Sequence, residues 1–302
     1  MVKTKKRFDE MQKNDKTKLG LILSNRVYPL RIPLSLSKDE TLKHYPLFDG
    51  ITAGLSEISC HASALSFGFT PHAPHSHKGE ELIILLSGNL NLLLANKFSP
   101  AKIKSIPIEK GQFVYYSSNF THTHQATSEE HANYLTFYWY AGLKNTASVP
   151  TFNYYNMFDN VGHSNAKNDF YSRLLFEGPT GYLKKFHCHI SMLLPGVDYK
   201  PSSNTYDIII LVLEGEIETI GQKAKPYDVI FYSAGQPYSI NNPGTTPARY
   251  IVFEFHSNKK MLINKIFNIF IYFFTRVSEK GRLKRKLKRI LNLLFTKLRF
   301  FK

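Results

Sequence analysis

The strongest constraint on this chain is that it contains itself twice. Phe48-Asp49-Gly50-Ile51-Thr52 recurs as Phe176-Glu177-Gly178-Pro179-Thr180, 128 residues further on. At the same offset Cys60-His61, Ser63, Leu65 and Gly68 recur as Cys188-His189, Ser191, Leu193 and Gly196. After a one-residue deletion Gly88 matches Gly215. After a shorter hairpin the offset is 116, and His122 falls on Tyr238, Tyr134 on Tyr250 and Phe137 on Phe253. Matches that keep their order while the offset changes only between expected strands indicate an internal duplication.

Each repeat, roughly residues 48–140 and 176–256, reads as short strands. Apolar or alternating runs (Leu90–Leu94, Phe113–Tyr116, Tyr134–Tyr140; Ile208–Leu213, Val229–Tyr232, Tyr250–Phe255) are separated by Gly, Pro, Asn and Ser clusters. No helical period runs through either repeat. An all-β fold of closed or double-sheet barrels follows, because such strands need their edges covered. The expected division is a basic N-terminal tail (1–20), barrel one (21–142), an Asn-rich irregular linker (143–170), barrel two (171–257) and a basic tail (258–302). Leu21–Leu36, with Pro29 and Pro33, fits an edge strand or an arm lying across the body.

The net charge of +16 is unevenly placed. Residues 258–302 hold fourteen Lys/Arg and one acid, and residues 1–20 hold seven and three, so the body carries about −1. That argues against a nucleic-acid-binding face on the barrels. Cys60 and Cys188 are too few for a disulfide framework and read as buried core residues. With a charged, polar Met1–Lys18, the expected location is cytoplasmic.

The chemistry concentrates in residues 71–88. His75 and His77 are two apart, so on a strand their side chains share a face. Glu81 follows, and Leu82–Leu86 reads as a strand buried on both sides, ended by Gly88. Two imidazoles and a carboxylate make most of a site for a borderline first-row ion. The segment Gly111–His122 brings a third imidazole, with His124 two residues on.

These residues resemble the motifs of the cupin superfamily. The first motif appears as His75-x-His77, three residues, Glu81, six residues, Gly88. The second appears as Gly111 and His122 at the family spacing, with Ser117 and Asn119 in place of the Pro and Gly of its turn. Gly68 precedes His75 by six intervening residues, one more than the family pattern. With the duplication, residues 48–256 look like a bicupin of two jelly-roll barrels. The resemblance implies that His75, His77, Glu81 and His122 bind one divalent ion, of Fe, Mn, Ni or Zn, in barrel one. Glu80 is the rival carboxylate and ranks below Glu81. His124 is either a pocket acid/base or solvent-facing. His72 and His131 read as flanking polar residues. His61 and His189, matched in both repeats, read as structural, at a barrel–barrel contact. Barrel two carries Ser202, Asn204, Ile208 and Tyr238 at the four ligand positions and is expected to be metal-free.

Met261–Phe274 is apolar but short of the roughly twenty residues that span a bilayer. Leu283, Leu287, Ile290, Leu291, Leu294, Leu298 and Phe301 then recur at three- and four-residue steps among Arg and Lys. This pattern predicts a basic amphipathic helix at an anionic membrane surface, at the inner face of the membrane. Two functions fit these features: a metal-dependent enzyme acting on a small polar or sugar-like metabolite, and a non-catalytic ligand- or metal-binding module held at a membrane. A homo-oligomer is compatible with either.

Overall fold

Alternation decides the architecture. In Glu80–Ser87 and its repeat Asp207–Glu214, nearly every side chain is buried, so these strands have protein on both faces. In the computed structural model the described residues are 21–96, 99–142, 152–157, 169–200 and 204–257. All fall in one compact unit, residues 1–258. Every extended element among them is a strand. The first half holds β1 (Arg26–Tyr28), β2 (Leu42–Gly50), β3 (Glu57–Leu65), β4 (Glu80–Ser87), β5 (Leu90–Asn96), β6 (Ser99–Ile108), β7 (Gln112–Tyr116), β8 (His122–Ala126), β9 (Ala132–Tyr140) and β10 (Phe152–Asn156). The second holds β11 (Phe170–Gly178), β12 (Leu183–Leu193), β13 (Asp198–Tyr199), β14 (Asp207–Glu214), β15 (Ile217–Thr219), β16 (Gln222–Ala224), β17 (Val229–Tyr232), β18 (Ile240–Asn241) and β19 (Ala248–Ser257).

The strands form two matched pairs of sheets. Barrel one is β10-β7-β4-β9-β3-β2 closed by β6-β5-β8, and barrel two is β1-β17-β14-β19-β12-β11 closed by β13-β18-β15-β16. The register supports the duplication residue by residue. Cys60 pairs with Phe137 and Cys188 with Phe253, and both leading strands carry a bulge before Phe48 or Phe176. Gly88 and Gly215 both have φ near +70°. A Cβ at either would lie within 3 Å of the Cα of Ala132 or Ala248, so glycine is required twice for the same reason.

Two segments depart from the expected boundaries. Arg26–Tyr28, assigned to barrel one, pairs with Val229–Phe231 at the edge of the barrel-two sheet. Phe152–Asn156, expected to be irregular linker, pairs with Gln112–Tyr116 and extends barrel one. The segment ahead of each repeat therefore adds a strand to the other barrel. The arm is fixed at both ends: the Leu30 N–H donates to Asp228 Oδ1 (2.8 Å) and the Leu34 N–H to Asn133 Oδ1 (2.9 Å). Such mutual strand donation covers edges that would otherwise invite pairing with another chain.

The large sheets pack on each other through aromatic rings. Phe113 lies 5.8 Å from Phe253, and Trp139 lies 5.1 Å from Phe186 and 5.3 Å from Phe255. The opposite faces line the barrels, with Ile83, Leu85, Leu92, Val114 and Tyr134 in one and Ile210, Val212, Ile230 and Tyr250 in the other. The N-terminal tail and the amphipathic helix expected in 258–302 lie outside the described residues.

Candidate metal centre

Adjacent glutamates on β4 point to opposite faces because the side-chain period of a strand is two. Glu81 faces into barrel one. The loop bearing His75 is tied to β8 by paired backbone bonds, His75 N–H to His122 O (3.1 Å) and His122 N–H to His75 O (3.0 Å). The carbonyl of His77 accepts from the Asn119 N–H (2.8 Å). Asn119 sits at φ 62° in a turn closed by the Phe120 N–H donating to Ser117 O (3.1 Å). Asparagine thus fills the left-handed position glycine usually takes. The turn survives although its motif residues do not. In barrel two Gly235 holds the matching position, with the Gln236 N–H donating to Ser233 O (3.2 Å). Gly79 allows the loop to close: a Cβ there would stand 2.3 Å from the Tyr138 ring.

This scaffold brings His77, Glu81 and His122 together, with one ligand atom from each lying within 4.8 Å of the others. His77 Nε2 is 3.2 Å from Glu81 Oε2, and His122 Nε2 is 3.2 Å from Glu81 Oε1. The other ring nitrogens are committed: His77 Nδ1 lies 3.1 Å from Gly79 O and His122 Nδ1 2.9 Å from Phe120 O. A carbonyl only accepts, so both Nδ1 atoms carry the proton. In the neutral rings, both Nε2 lone pairs then face the lone pairs of one carboxylate. That arrangement needs a cation, either a proton on an imidazole or a metal ion. Imidazoles whose far N–H is held by a carbonyl are the usual form of a metal ligand. Tyr116 stacks on His122 at 4.0 Å and 8°, fixing its plane.

His75 stands slightly apart. Its ring centroid is 5.5 Å from that of His77 and 5.3 Å from that of His122, and its buried Nδ1 makes no hydrogen bond within the protein. Burial, helped by the neighbouring histidines, lowers its pKa to about 4. Burial resists ionisation of Glu81, but the bonds from His122 and His77 hold it well below the usual carboxylate range. Burial pulls the His77 pKa down, and the Glu81 carboxylate more than offsets this.

His124 does not face solvent. It is 4% exposed, and neither ring nitrogen has a hydrogen-bond partner in the protein. Burial lowers its pKa to about 3, so the ring is neutral at neutral pH. Its ring lies edge-on to Tyr134 at 4.7 Å. His72, expected to be a flanking residue, packs edge-on against His75 at 3.8 Å and belongs to the cluster's wall.

Glu80 serves the barrel–barrel interface instead. It accepts from Tyr115 OH (2.7 Å), Trp139 Nε1 (2.7 Å), Thr180 Oγ1 (2.6 Å) and the Gly181 N–H (2.6 Å). Its repeat counterpart, Asp207, accepts from Thr52 Oγ1 (2.5 Å) and the Ala234 N–H (2.9 Å). The threonines are the last residues of the repeated Phe-Asp/Glu-Gly-x-Thr segment. Each reaches a buried acid of the other barrel. Sequence reasoning missed this pair, although Glu80 and Asp207 lie at the offset of 127 that relates Gly88 to Gly215.

His61 and His189 are not at that interface. His61 packs edge-on to His44 at 5.0 Å, and His189 faces into barrel two, its Nδ1 3.0 Å from His187 Nε2. At the barrel-two positions that match the metal ligands, Asn204 Nδ2 donates to Tyr238 OH (3.1 Å) and Ile208 is buried; Ser202 lies outside the described residues. Tyr232 stacks on Tyr238 at 4.2 Å, as Tyr116 does on His122.

Comparison with known proteins agrees with this architecture. Residues 67–138 match the family described as Cupin domain. A candidate glyoxylate-induced protein from Pseudomonas aeruginosa is similar over 80% of this chain and 92% of its own, at 12% identity and TM-score 0.58. A cupin 2 conserved barrel domain protein from Leptotrichia buccalis covers 74% and 92% at 12% identity and TM-score 0.51. AerE from Microcystis aeruginosa covers 77% and 97% at 10% identity and TM-score 0.51. No curated protein matches the sequence. Residues 67–138 thus carry a cupin domain, and the similar structures share the fold of the two-barrel body.

Proposed function

We propose that His75, His77, Glu81 and His122 hold one divalent metal ion, and that the protein is an enzyme acting there on a small polar or sugar-like metabolite. The observation that carries the metal is the pair of Nε2 atoms converging on Glu81 while both Nδ1–H groups are held by backbone carbonyls. Imidazole and carboxylate without thiolate suit Fe, Mn, Ni or Zn. The ion would supply Lewis acidity toward a substrate oxygen. The chain's own part is positional. Tyr116 holds the His122 ring flat, and the carbonyls of Gly79 and Phe120 turn the Nε2 atoms of His77 and His122 toward Glu81. His124 offers a neutral imidazole on the same strand face as His122; burial disfavours its protonation, so it suits a hydrogen bond to a substrate rather than holding a proton.

The test is metal content of purified protein with and without His75→Ala plus His77→Ala. Loss of one equivalent supports the reading, and equal content in both overturns it. Turnover of a metabolite that disappears in Glu81→Gln would establish the enzyme; metal binding without turnover favours a binding module. Attachment to anionic membrane through residues 258–302 is a second proposal, resting on the alternation of Leu/Ile with Lys/Arg. Flotation with anionic vesicles at low salt, lost on removing 258–302, supports it; a chain that stays unbound overturns it.

A further inference from the structure

Barrel two has lost the four ligand positions of barrel one, yet it carries another cluster on different strands. His187 and His189 are two apart on β12, so both project into the barrel. Glu254 on β19 pairs with His187 across the ladder. One ligand atom from each of His187, His189 and Glu254 lies within 4.8 Å of the others. Their repeat counterparts in barrel one are Ser59, His61 and Tyr138, so the set is peculiar to barrel two.

The surrounding bonds fit ligation. His187 Nδ1 donates to Glu177 Oε2 (2.6 Å), which turns Nε2 inward to within 3.0 Å of His189 Nδ1. Lys185 Nζ also reaches Glu177 Oε2 (3.0 Å), so that carboxylate is committed outside the cluster. Glu254 Oε2 accepts from His256 Nε2 (2.8 Å), and His256 is packed on the Tyr206 ring at 3.8 Å. Two of the three groups thus have an outer partner that orients them, as metal ligands usually do. His189 and Glu254 line a cavity of about 180 Å³, together with Tyr199, Tyr206, Tyr238 and Asn204.

We propose that His187, His189 and Glu254 form a second metal site, taking one borderline divalent cation such as Zn(II) or Co(II). The tyrosine-lined cavity leaves its remaining positions to water or a small anionic ligand. This site is independent of the barrel-one reading. The rival is a plain hydrogen-bond chain, Glu177–His187–His189, that shares protons and binds no ion.

The experiment uses full-length protein carrying His75→Ala plus His77→Ala, stripped with chelator and titrated with Co(II) by visible absorption. One equivalent with d–d bands is expected. Adding Glu254→Gln should weaken it at least tenfold. Glu177→Gln, at the half-exposed edge of the cluster, should weaken it about 10–100-fold with the unfolding transition unchanged. No Co(II) bound by the barrel-one variant, or binding indifferent to both glutamate substitutions, overturns the proposal. The barrel-one site has its own readout, since its failure leaves parent and His75→Ala plus His77→Ala protein with equal content.

Discussion

The two barrels share a backbone and differ in what their interiors hold. At equivalent places barrel one has His77, Glu81, His122 and His124, while barrel two has Asn204, Ile208, Tyr238 and Ile240. Barrel two has His187, His189 and Glu254 where barrel one has Ser59, His61 and Tyr138. The frame does not vary in this way. Gly88/Gly215, Thr52/Thr180, Glu80/Asp207 and the stacked pairs Tyr116–His122 and Tyr232–Tyr238 recur in place. The duplication is therefore an internal control. What recurs serves the frame, and what appears once is free to serve a site.

The largest effect should come from breaking the recurring acids. Glu80→Ala removes the acceptor of four hydrogen bonds, leaving Trp139 Nε1 and Tyr115 OH buried and unpaired, and should cost about 3–5 kcal/mol. Asp207→Ala removes an acceptor of two from the other barrel and should cost less, about 2–3 kcal/mol. Urea denaturation of metal-free protein checks both. A Glu80→Ala variant as stable as the parent would break the claim that the interface depends on this network.

Next come the paired glycines. Gly88→Ala and Gly215→Ala each place a Cβ against the backbone of the strand-leading alanine at positive φ, and each should cost about 1–3 kcal/mol. The comparison predicts similar losses, because surroundings and dihedral match. Thermal melts of the two variants test this. A cost in one barrel only would show that the frames are less equivalent than their register indicates.

The sequence made the frame legible because a strand's demands are local. Turn glycines, alternation and the repeat offset each constrain one or two neighbours, and the pairing of Cys60 with Phe137 and Cys188 with Phe253 agrees with them. The barrel-one cluster was readable for the same reason, since His75, His77 and Glu81 are close along the chain. Partnership across the chain was not readable. Nothing near Glu80 announces Thr180, a hundred residues away, and nothing within Arg26–Tyr28 or Phe152–Asn156 names the strand that each pairs with. The second cluster left a signal of its own: His187-x-His189 has the same two-residue spacing as His75-x-His77. Its matched His61 drew His189 into a structural reading and hid that spacing.

A smaller effect separates two neighbours on one strand. Burial raises the pKa of Glu80 despite its four donors, whereas the bonds from His122 and His77 lower that of Glu81 against burial. A raised carboxyl binds its proton more tightly in the folded state. Its contribution is full below the unfolded value, near 4.5, and is lost as pH rises through the folded value. A depressed carboxyl behaves oppositely, stabilising above 4.5 and losing that contribution as pH falls toward its folded value. In chelator-treated protein, Glu80→Gln should therefore flatten the loss of stability on the alkaline side of 4.5, and Glu81→Gln the loss on the acid side. Stability measured from pH 3 to 7 should show the two variants departing from the parent in opposite directions; shifts of the same sign would refute the two-faced reading of β4.

The smallest effect is at the turn that the two barrels build from different residues. Asn119 and Gly235 occupy the same left-handed position, at φ 62° and 79°. A side chain at such an angle crowds its own backbone, a cost that asparagine reduces and glycine avoids. Asn119→Gly should gain up to about 1 kcal/mol less the flexibility glycine adds to the unfolded chain, so the net change should be a few tenths. Gly235→Ala, by contrast, meets no atom within 4 Å and should show the dihedral cost alone, about 1 kcal/mol. The barrel-one turn also carries the Asn119 N–H bond to the His77 carbonyl, which sets where that imidazole stands. Asn119→Gly should accordingly keep the barrel-one metal equivalent while changing its affinity by less than about tenfold, measured by chelator competition. A complete loss of that equivalent would show that the asparagine side chain, and not only its backbone, belongs to the site.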